Sequence, residues 1–173
     1  MTVSELIKKR RAIYPSQYEL GDIYEKDIKE ILENANFAPT HRLTQPWFFK
    51  VYQNEFKIEL ANTMVKHYKL SSSVKNNGIK EKKIMDKCIK SRCIIAIFMN
   101  RDLAESVPEW EEIASTAMAV QNMWLTCVEK NIGCYWSTPV YIRSMSNYFK
   151  LKQNQKCLGF FYMGSFNHDE KIP

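Results

Sequence analysis

The chain has 173 residues, 45% hydrophobic and 25% charged, with a formal net charge of +6, a composition that fits one globular domain over residues 1–173. No apolar run approaches the roughly 20 residues of a membrane span, and the N-terminus turns basic at Lys8 without the apolar core of a secretory signal. Cys88, Cys93, Cys127, Cys134 and Cys157 form no CxxC, so reduced thiols in a cytoplasmic protein are the simplest reading.

Val3, Leu6 and Ile7 follow helical spacing, and Lys8 to Arg11 close that helix with cations, favourable at a C-terminus. Ile28, Ile31, Leu32 and Ala35 repeat at i, i+3, i+4 and i+7, with Asp27 as a cap candidate and Pro39 as the stop. Trp47–Tyr52 is aromatic and β-branched, which predicts a strand. Phe56, Leu60 and Met64 predict a helix, and Ile79 to Ile89 a further, basic one. Cys93–Met99 is apolar on both faces, as a central strand is. Pro108 opens the longest helix, to about Asn131, apolar almost all round from Ile113 to Val128 and so expected to be buried in the domain or at a subunit interface. Gly133 is expected to end it. A turn over Tyr135–Pro139, a helix near Tyr141 to Phe149 and a strand over Leu158–Gly164 complete a mixed α+β domain.

The positive excess gathers between Lys66 and Arg92. No aromatic platform, zinc spacing or basic heptad accompanies it, so a solvated lysine face is preferred to a nucleic-acid site. Protein-borne catalysis finds little support: GxGxxG, GxxxxGK[ST] and GxSxG are all missing, and His41, His67 and His168 have no metal-ligand spacing. Glu111 and Glu112 adjoin and so point to different helix faces, where a solvated helix N-terminus explains them. A bound cofactor carrying the chemistry fits better.

Three clusters remain. Lys9-Arg10-Arg11-Ala12 offers guanidinium forks suited to phosphate, or simple compensation of a helix C-terminus. Ala38–Trp47 sets His41, Arg42 and Gln45 between two prolines, with Trp47 to wall a site. His41 and the Gln45 amide suit the imide and carbonyl groups of a flat heterocycle, or staple the loop to its own backbone. Tyr135–Pro139 brings an aromatic and two hydroxyls together, for a ligand or for packing and a cap.

Taken in order, these clusters resemble the nitroreductase family of FMN-dependent oxidoreductases, in particular its short-chain members. The likeness runs from Arg10-Arg11 through Ala-Pro-x-His…Gln-Pro-Trp at 38–47 and Pro-x-Trp-Glu at 108–111. It ends with Gly133…Trp136-Ser137 and the strand Gly159–Gly164. The resemblance implies a mainly antiparallel sheet flanked by helices, with the long helix at the interface of a homodimer that binds FMN between its subunits. It implies Arg10, Arg11 and Ala12 on the phosphate and ribityl side, and Trp136, Ser137 and Thr138 beside the isoalloxazine. His41 and Gln45 would come from the other chain. Thr126, Cys127, Val128, Glu129, Lys130 and Asn131 would lie on the nicotinamide side, with no metal.

Two departures qualify it. Ala12 stands where the family often has serine, and Tyr14 where a further cation often follows, which removes a charge from the flavin's N1 side and implies a lower potential. The family commonly extends further and sets a C-terminal basic residue on the phosphate, for which Lys171 is the local candidate. The implied activity is ping-pong hydride transfer from NADH or NADPH through FMN to a nitroaromatic or quinone-like acceptor. The alternatives are a basic, non-enzymatic module binding nucleic acid or another anionic partner through Lys66–Arg92, and an FMN-binding protein of low turnover.

Overall fold

The computed structural model describes residues 1–71 and 78–167; His168 and Lys171 lie outside the described residues. The chain opens with α1 (Val3–Lys9), started by a reciprocal cap in which the Thr2 hydroxyl accepts the Glu5 N–H and the Glu5 carboxylate accepts the Thr2 N–H. Then follow β1 (Tyr18–Glu19), α2 (Glu25–Ala35), β2 (Trp47–Tyr52), α3 (Asn54–Ser71), α4 (Gly78–Lys90) and β3 (Cys93–Asn100). The rest is α5 (Glu109–Glu129), β4 (Gly133–Ser137), the short α6 (Ser146–Phe149) and β5 (Gln155–Phe166). Single 3-10 turns occupy Pro15–Gln17, His41–Leu43 and Val140–Met145.

The described strands form one antiparallel sheet in the order β1-β5-β3-β2, with β4 also paired to β5. β5 is paired along both edges: β3 runs opposite Gln155 to Met163, while β4 and then β1 line the other side. The pleat sends alternate side chains to two cores. Ile95, Ile97, Phe161 and Met163 pack under α2 and α5, against Ile31, Ala119, Val120 and Met123. Ile94, Ala96, Phe98, Phe160 and Tyr162 pack under α3, α4 and the 3-10 turn before α6, against Leu60, Met64, Tyr141 and Phe149. Helices on both faces are why Cys93–Met99 lacks any polar alternation. Each such large side chain removed from water stabilises the fold by about 1.5–3 kcal/mol.

Several ends differ from the sequence expectation. Tyr24, not Asp27, takes the N-cap of α2, without a side-chain bond. Asp27 sits in the first turn and joins Glu30 in holding Lys130 at the end of α5, at 3.1 and 2.7 Å. The hydrogen bond it donates to Glu30, then the one to Asp27, keeps the Lys130 ammonium above its ordinary pKa. Asn131, not Gly133, stops α5. With φ 56 it enters the left-handed region, so the Ile132 N–H reaches the Cys127 carbonyl at 2.8 Å and the Asn131 N–H reaches Val128 at 3.2 Å. Gly133 is released to begin β4, and residues 134–137 form a strand rather than a turn because β5 offers them an unpaired edge. Tyr18–Glu19 is too short for a periodic signal, and it too forms on that edge.

The β3–β5 register shifts between Ile97 and Phe98, where Leu158 bulges out. Next to it Gly159 adopts φ 149, and an added Cβ would lie 2.1 Å from the Trp136 indole nitrogen and 2.7 Å from the Ser137 carbonyl. The indole N–H itself donates to the Leu158 carbonyl at 3.2 Å. Gly159→Ala is therefore expected to destabilise the protein by roughly 2 kcal/mol or more, through backbone strain and a displaced Trp136. Thermal and urea unfolding would measure it, and an unchanged midpoint would refute this account of the bulge.

The thiols supply a second test. Burial pushes Cys88, Cys93 and Cys157 up to about 12 and holds Cys134 well above its usual value. A thiol near 12 is about one part in 10⁴ thiolate at pH 8, so these groups are inert while folded. A chromogenic disulfide reagent at pH 8 should titrate all five cysteines in urea, and none of these four at a comparable rate in the native state.

Candidate functional site

β4 alternates like any strand, and its last residues therefore part company. Trp136 packs with the α2/α5 core, its indole committed to Leu158, whereas Ser137 turns to the α3/α4 side. There it lines a cavity of about 600 Å³ with Pro139 and Tyr141 at one end and α4 along the other wall. Lys80, Lys83 and Lys87 all face this cavity, and none of the described residues lining it is acidic. The Tyr68 ring closes the α3 side, and its buried hydroxyl has no hydrogen-bond partner among the described residues. A second cavity of about 300 Å³ shares Lys83 and Lys87 and adds Tyr14, Asp86 and Lys90. Tyr14 lies 4.6 Å from Tyr135 between ring centroids, and the Lys87 ammonium stands 5.4 Å above that same Tyr135 ring.

Lys80, Lys83 and Lys90 are exposed and Lys87 is half-buried, so the basic face is solvated as expected, and part of it also borders the larger cavity. Lys80, Lys83, Lys87 and Lys90 recur at steps of three and four, which is one ridge of a helix. That spacing was the available signal. What it could not give is the concave wall that the ridge faces.

The N-terminal arm runs beside the start of β4, where the Ile13 N–H donates to the Cys134 carbonyl at 3.0 Å. The Trp124 indole N–H holds the Arg11 carbonyl at 3.1 Å, and the Arg10 guanidinium lies 5.1 Å above the Trp124 ring. Arg11 turns back on the arm, donating to the carbonyls of Lys8 at 2.7 Å and Arg10 at 2.9 Å. Ala12 makes no hydrogen bond among the described residues, so its N–H is available to a ligand. Exposed cation–π and surface hydrogen bonds of this kind are worth about 0.5–1 kcal/mol each. A phosphate offering charge-assisted bonds of roughly 1.5–3 kcal/mol outweighs them.

The segment Thr126 to Asn131 divides. Thr126 is buried, donating to the Asn122 carbonyl at 2.9 Å and accepting from the Asn34 amide at 3.0 Å. Cys127 is buried with its sulfur 3.7 Å from that of Met163. Both are packing residues in this structure. Lys130 is held by Asp27 and Glu30, and Glu129 is exposed. Only Val128 and Asn131 reach a small cavity of about 110 Å³, which they share with Lys9 and Arg11.

The loop after α2 stands elsewhere. Its backbone is unusual, with Arg42, Leu43 and Gln45 all left-handed at φ 51, 54 and 40. The Thr40 hydroxyl pins the turn by accepting the Gln45 N–H at 3.2 Å and pairing with the Thr44 hydroxyl at 3.1 Å. His41 Nδ1 lies 2.6 Å from Glu111 Oε2 on α5. The pair borders a shallow cavity of about 260 Å³ with Pro39, Trp110 and Met118. Gln45 is exposed, and so is Thr138 at the end of β4. Trp47 does not wall a site: it is buried in the core, its indole N–H donating to Asn36 at 3.1 Å. Glu112 is likewise not solvated. It is buried and accepts from Arg101 at 2.5 Å and from the Asp102 N–H at 2.8 Å, on the face opposite to its neighbour Glu111.

The chain thus carries two separate surfaces. The cavity beside His41 shares no lining residue with the one beside Ser137. Among the described residues no cluster of His, Cys, Asp or Glu could hold a metal ion, and no helix is long and apolar enough to cross a membrane.

This geometry can be set beside known proteins. A profile of the Nitroreductase family matches residues 7–165. The chain is 28% identical over 157 residues to "Putative NAD(P)H nitroreductase YfhC" of Bacillus subtilis (strain 168), covering 88% of this chain and 78% of that protein. Its fold superposes on a nitroreductase-like protein from Bacillus cereus with a TM-score of 0.86 at 21% identity, over 100% of this chain and 90% of the other. It also superposes on a nitroreductase with bound FMN from Bacteroides fragilis, with a TM-score of 0.75 at 20% identity, over 100% and 92% of the two chains. With a family match from the first helix to the last strand and a fold shared along its whole length, the chain belongs to the Nitroreductase family.

Proposed function

We propose that the protein is an FMN-dependent oxidoreductase that passes reducing equivalents from NADH or NADPH to a flat acceptor, a nitroaromatic or a quinone, in two half-reactions. The observation that carries this reading is the cavity at the end of β4. It is bounded by Ser137, Lys80, Lys83, Lys87 and Tyr68, whose hydroxyl has no partner among the described residues, and no described residue on its walls is acidic. Those donors suit a flat, anionic heterocycle rich in acceptor atoms, and the residues present fit FMN. The FMN bound to the Bacteroides fragilis relative and the NAD(P)H in the name of the Bacillus subtilis one support the same reading.

In this reading Arg10 and Arg11 leave their weak contacts to hold the phosphate, with the Ala12 N–H in place of a serine hydroxyl. Ser137 and Thr138 stand at the heterocycle's polar edge. Trp136 acts from behind: anchored to Leu158, it fixes the pleat that points Ser137 inward. Tyr14 brings no charge, and Lys87, across the Tyr135 ring from it, supplies the nearby cation. FMN held there would supply a two-electron carrier, while the protein's own groups orient and tune it and exclude water. His41 and Gln45 reach the flavin only from a second copy, since on one protomer they lie on a separate surface. The outward side of α5, with Trp110, Ile113 and Met118 exposed, suits the homodimer this requires.

The purified protein is expected to be yellow and to release FMN on denaturation. Added FMN at 100 times its dissociation constant is expected to stabilise it by about 2.7 kcal/mol. A colourless protein whose unfolding midpoint ignores FMN would overturn the reading. His41→Ala and Gln45→Ala are each expected to weaken FMN binding roughly 5- to 100-fold, the cost of one lost or charge-assisted hydrogen bond, with the circular dichroism spectrum intact. Unchanged flavin affinity in both variants would remove the loop from the site.

A further inference from the structure

The Pro-x-Trp-Glu run at 108–111 plays no part in the flavin reading above, yet its last residue is placed unusually. Glu111 is the third residue of α5, the position from which a glutamate ordinarily reaches back to the N–H of the N-cap residue. Here the N-cap is Pro108, which has no N–H to offer. The Glu111 carboxylate is thereby left for another donor. Its one ion-pair partner among the described residues is His41, with Oε2 2.6 Å from Nδ1. The other acids of this first turn are committed, Glu109 to Lys156 and Glu112 to Arg101. None of the other described residues lining the cavity that the pair borders is charged.

An ionised carboxylate only accepts hydrogen bonds, so the proton of this contact sits on Nδ1. The bond made by one ring nitrogen decides the role of the other. In the neutral ring the free lone pair is therefore on Nε2, which makes no hydrogen bond among the described residues. The backbone that carries the ring is itself pinned, with the Thr40 hydroxyl accepting the Gln45 N–H and Arg42 and Leu43 held left-handed.

We propose that Glu111 is a positioning residue, which locks His41 in the Nδ1–H form so that Nε2 accepts from the imide N–H of a flavin ring held by a second copy of the chain. The proposal rests on the flavin reading above and deepens it. The oxidised ring system carries a single N–H, that of the imide, among several acceptor atoms. An unlocked imidazole could donate to any of those acceptors, whereas the locked one matches the imide N–H and so fixes the orientation of the ring.

The test uses full-length protein labelled with ¹⁵N-histidine at pH 8.5, before and after addition of FMN. The His41 signals, assigned by their loss in His41→Ala, are expected to show a protonated Nδ1 and an unprotonated Nε2 without FMN. Binding should shift Nε2 and leave the Nδ1 proton in place. In Glu111→Ala the Nδ1 proton should no longer be held, and FMN affinity should fall about tenfold, the effect of one hydrogen bond, with the circular dichroism spectrum intact. That loss passes through His41, so adding Glu111→Ala to His41→Ala should change the affinity by less than about twofold. An FMN analogue methylated at the imide nitrogen gives a further readout. The wild-type preference for FMN over this analogue should shrink roughly fivefold or more in Glu111→Ala and in His41→Ala. An unprotonated Nδ1 in the wild type, additive losses in the double variant, or a preference that neither substitution changes would each overturn the proposal. Flavin content reports on the underlying reading by itself. If FMN is bound and any of these results is found, the locked histidine alone is refuted; if no FMN is bound, both fall together.

Discussion

The structure depends on β5 being hydrogen-bonded along both edges at once. Because β3 lies on one side and β4 with β1 on the other, the pleat of a single strand dictates which side chains of three neighbours face which core. Phe161 and Met163 go with α2 and α5; Phe160 and Tyr162 go with α3 and α4. β4 inherits the same alternation, so Trp136 is driven into one core and Ser137 is delivered to the cavity on the other side. A slip of one residue would exchange them. The bulge at Leu158, with Gly159 beside it, makes room for the indole and so protects the register on which Ser137 depends.

Charge is handled in two ways. At the ends of α5 it is neutralised locally, by Asp27 and Glu30 around Lys130 and by Glu112 against Arg101, where partial burial makes an unpaired group costly. On α4 the pattern differs, since Lys80, Lys83, Lys87 and Lys90 succeed one another along a ridge. Local repulsion there opposes stability, and the ridge lends a positive potential to the concave wall it borders.

Much of this was legible in the residues. The aromatic run Trp47–Tyr52, the doubly apolar Cys93–Met99 and the long helix after Pro108 all fold as their periodicity indicates, because each buries enough apolar surface for its pattern to dominate. Short elements escaped: β1 has two residues, and β4 was expected as a turn because an edge supplied from elsewhere in the chain decides it. Helix ends misled for a related reason. Asn131 reaches the left-handed region that Gly133 was expected to supply, and the Asp27 carboxylate found a cation across the fold instead of a cap. The candidate residues could be named in order from the sequence, with the His41 loop assigned by resemblance to the other chain. What could not be read is how the sheet and α5 hold that loop away from Ser137. Nor can the burial of Trp47 be read from a motif that sets it at the end of a polar loop.

The position of the α4 ridge has a consequence for how such a protein changes over generations. Its lysines stand at exposed or half-exposed positions, while the same helix is fastened to the core by other residues, Ile84, Met85 and the buried Cys88. A substitution on the ridge leaves that anchorage untouched, so the charge presented to the cavity can vary without endangering the fold. Position 136 has no such latitude, tied as it is to the bulge at Leu158. A lineage built on this scaffold is therefore free to vary the charge along one helix while the strand beside it stays fixed.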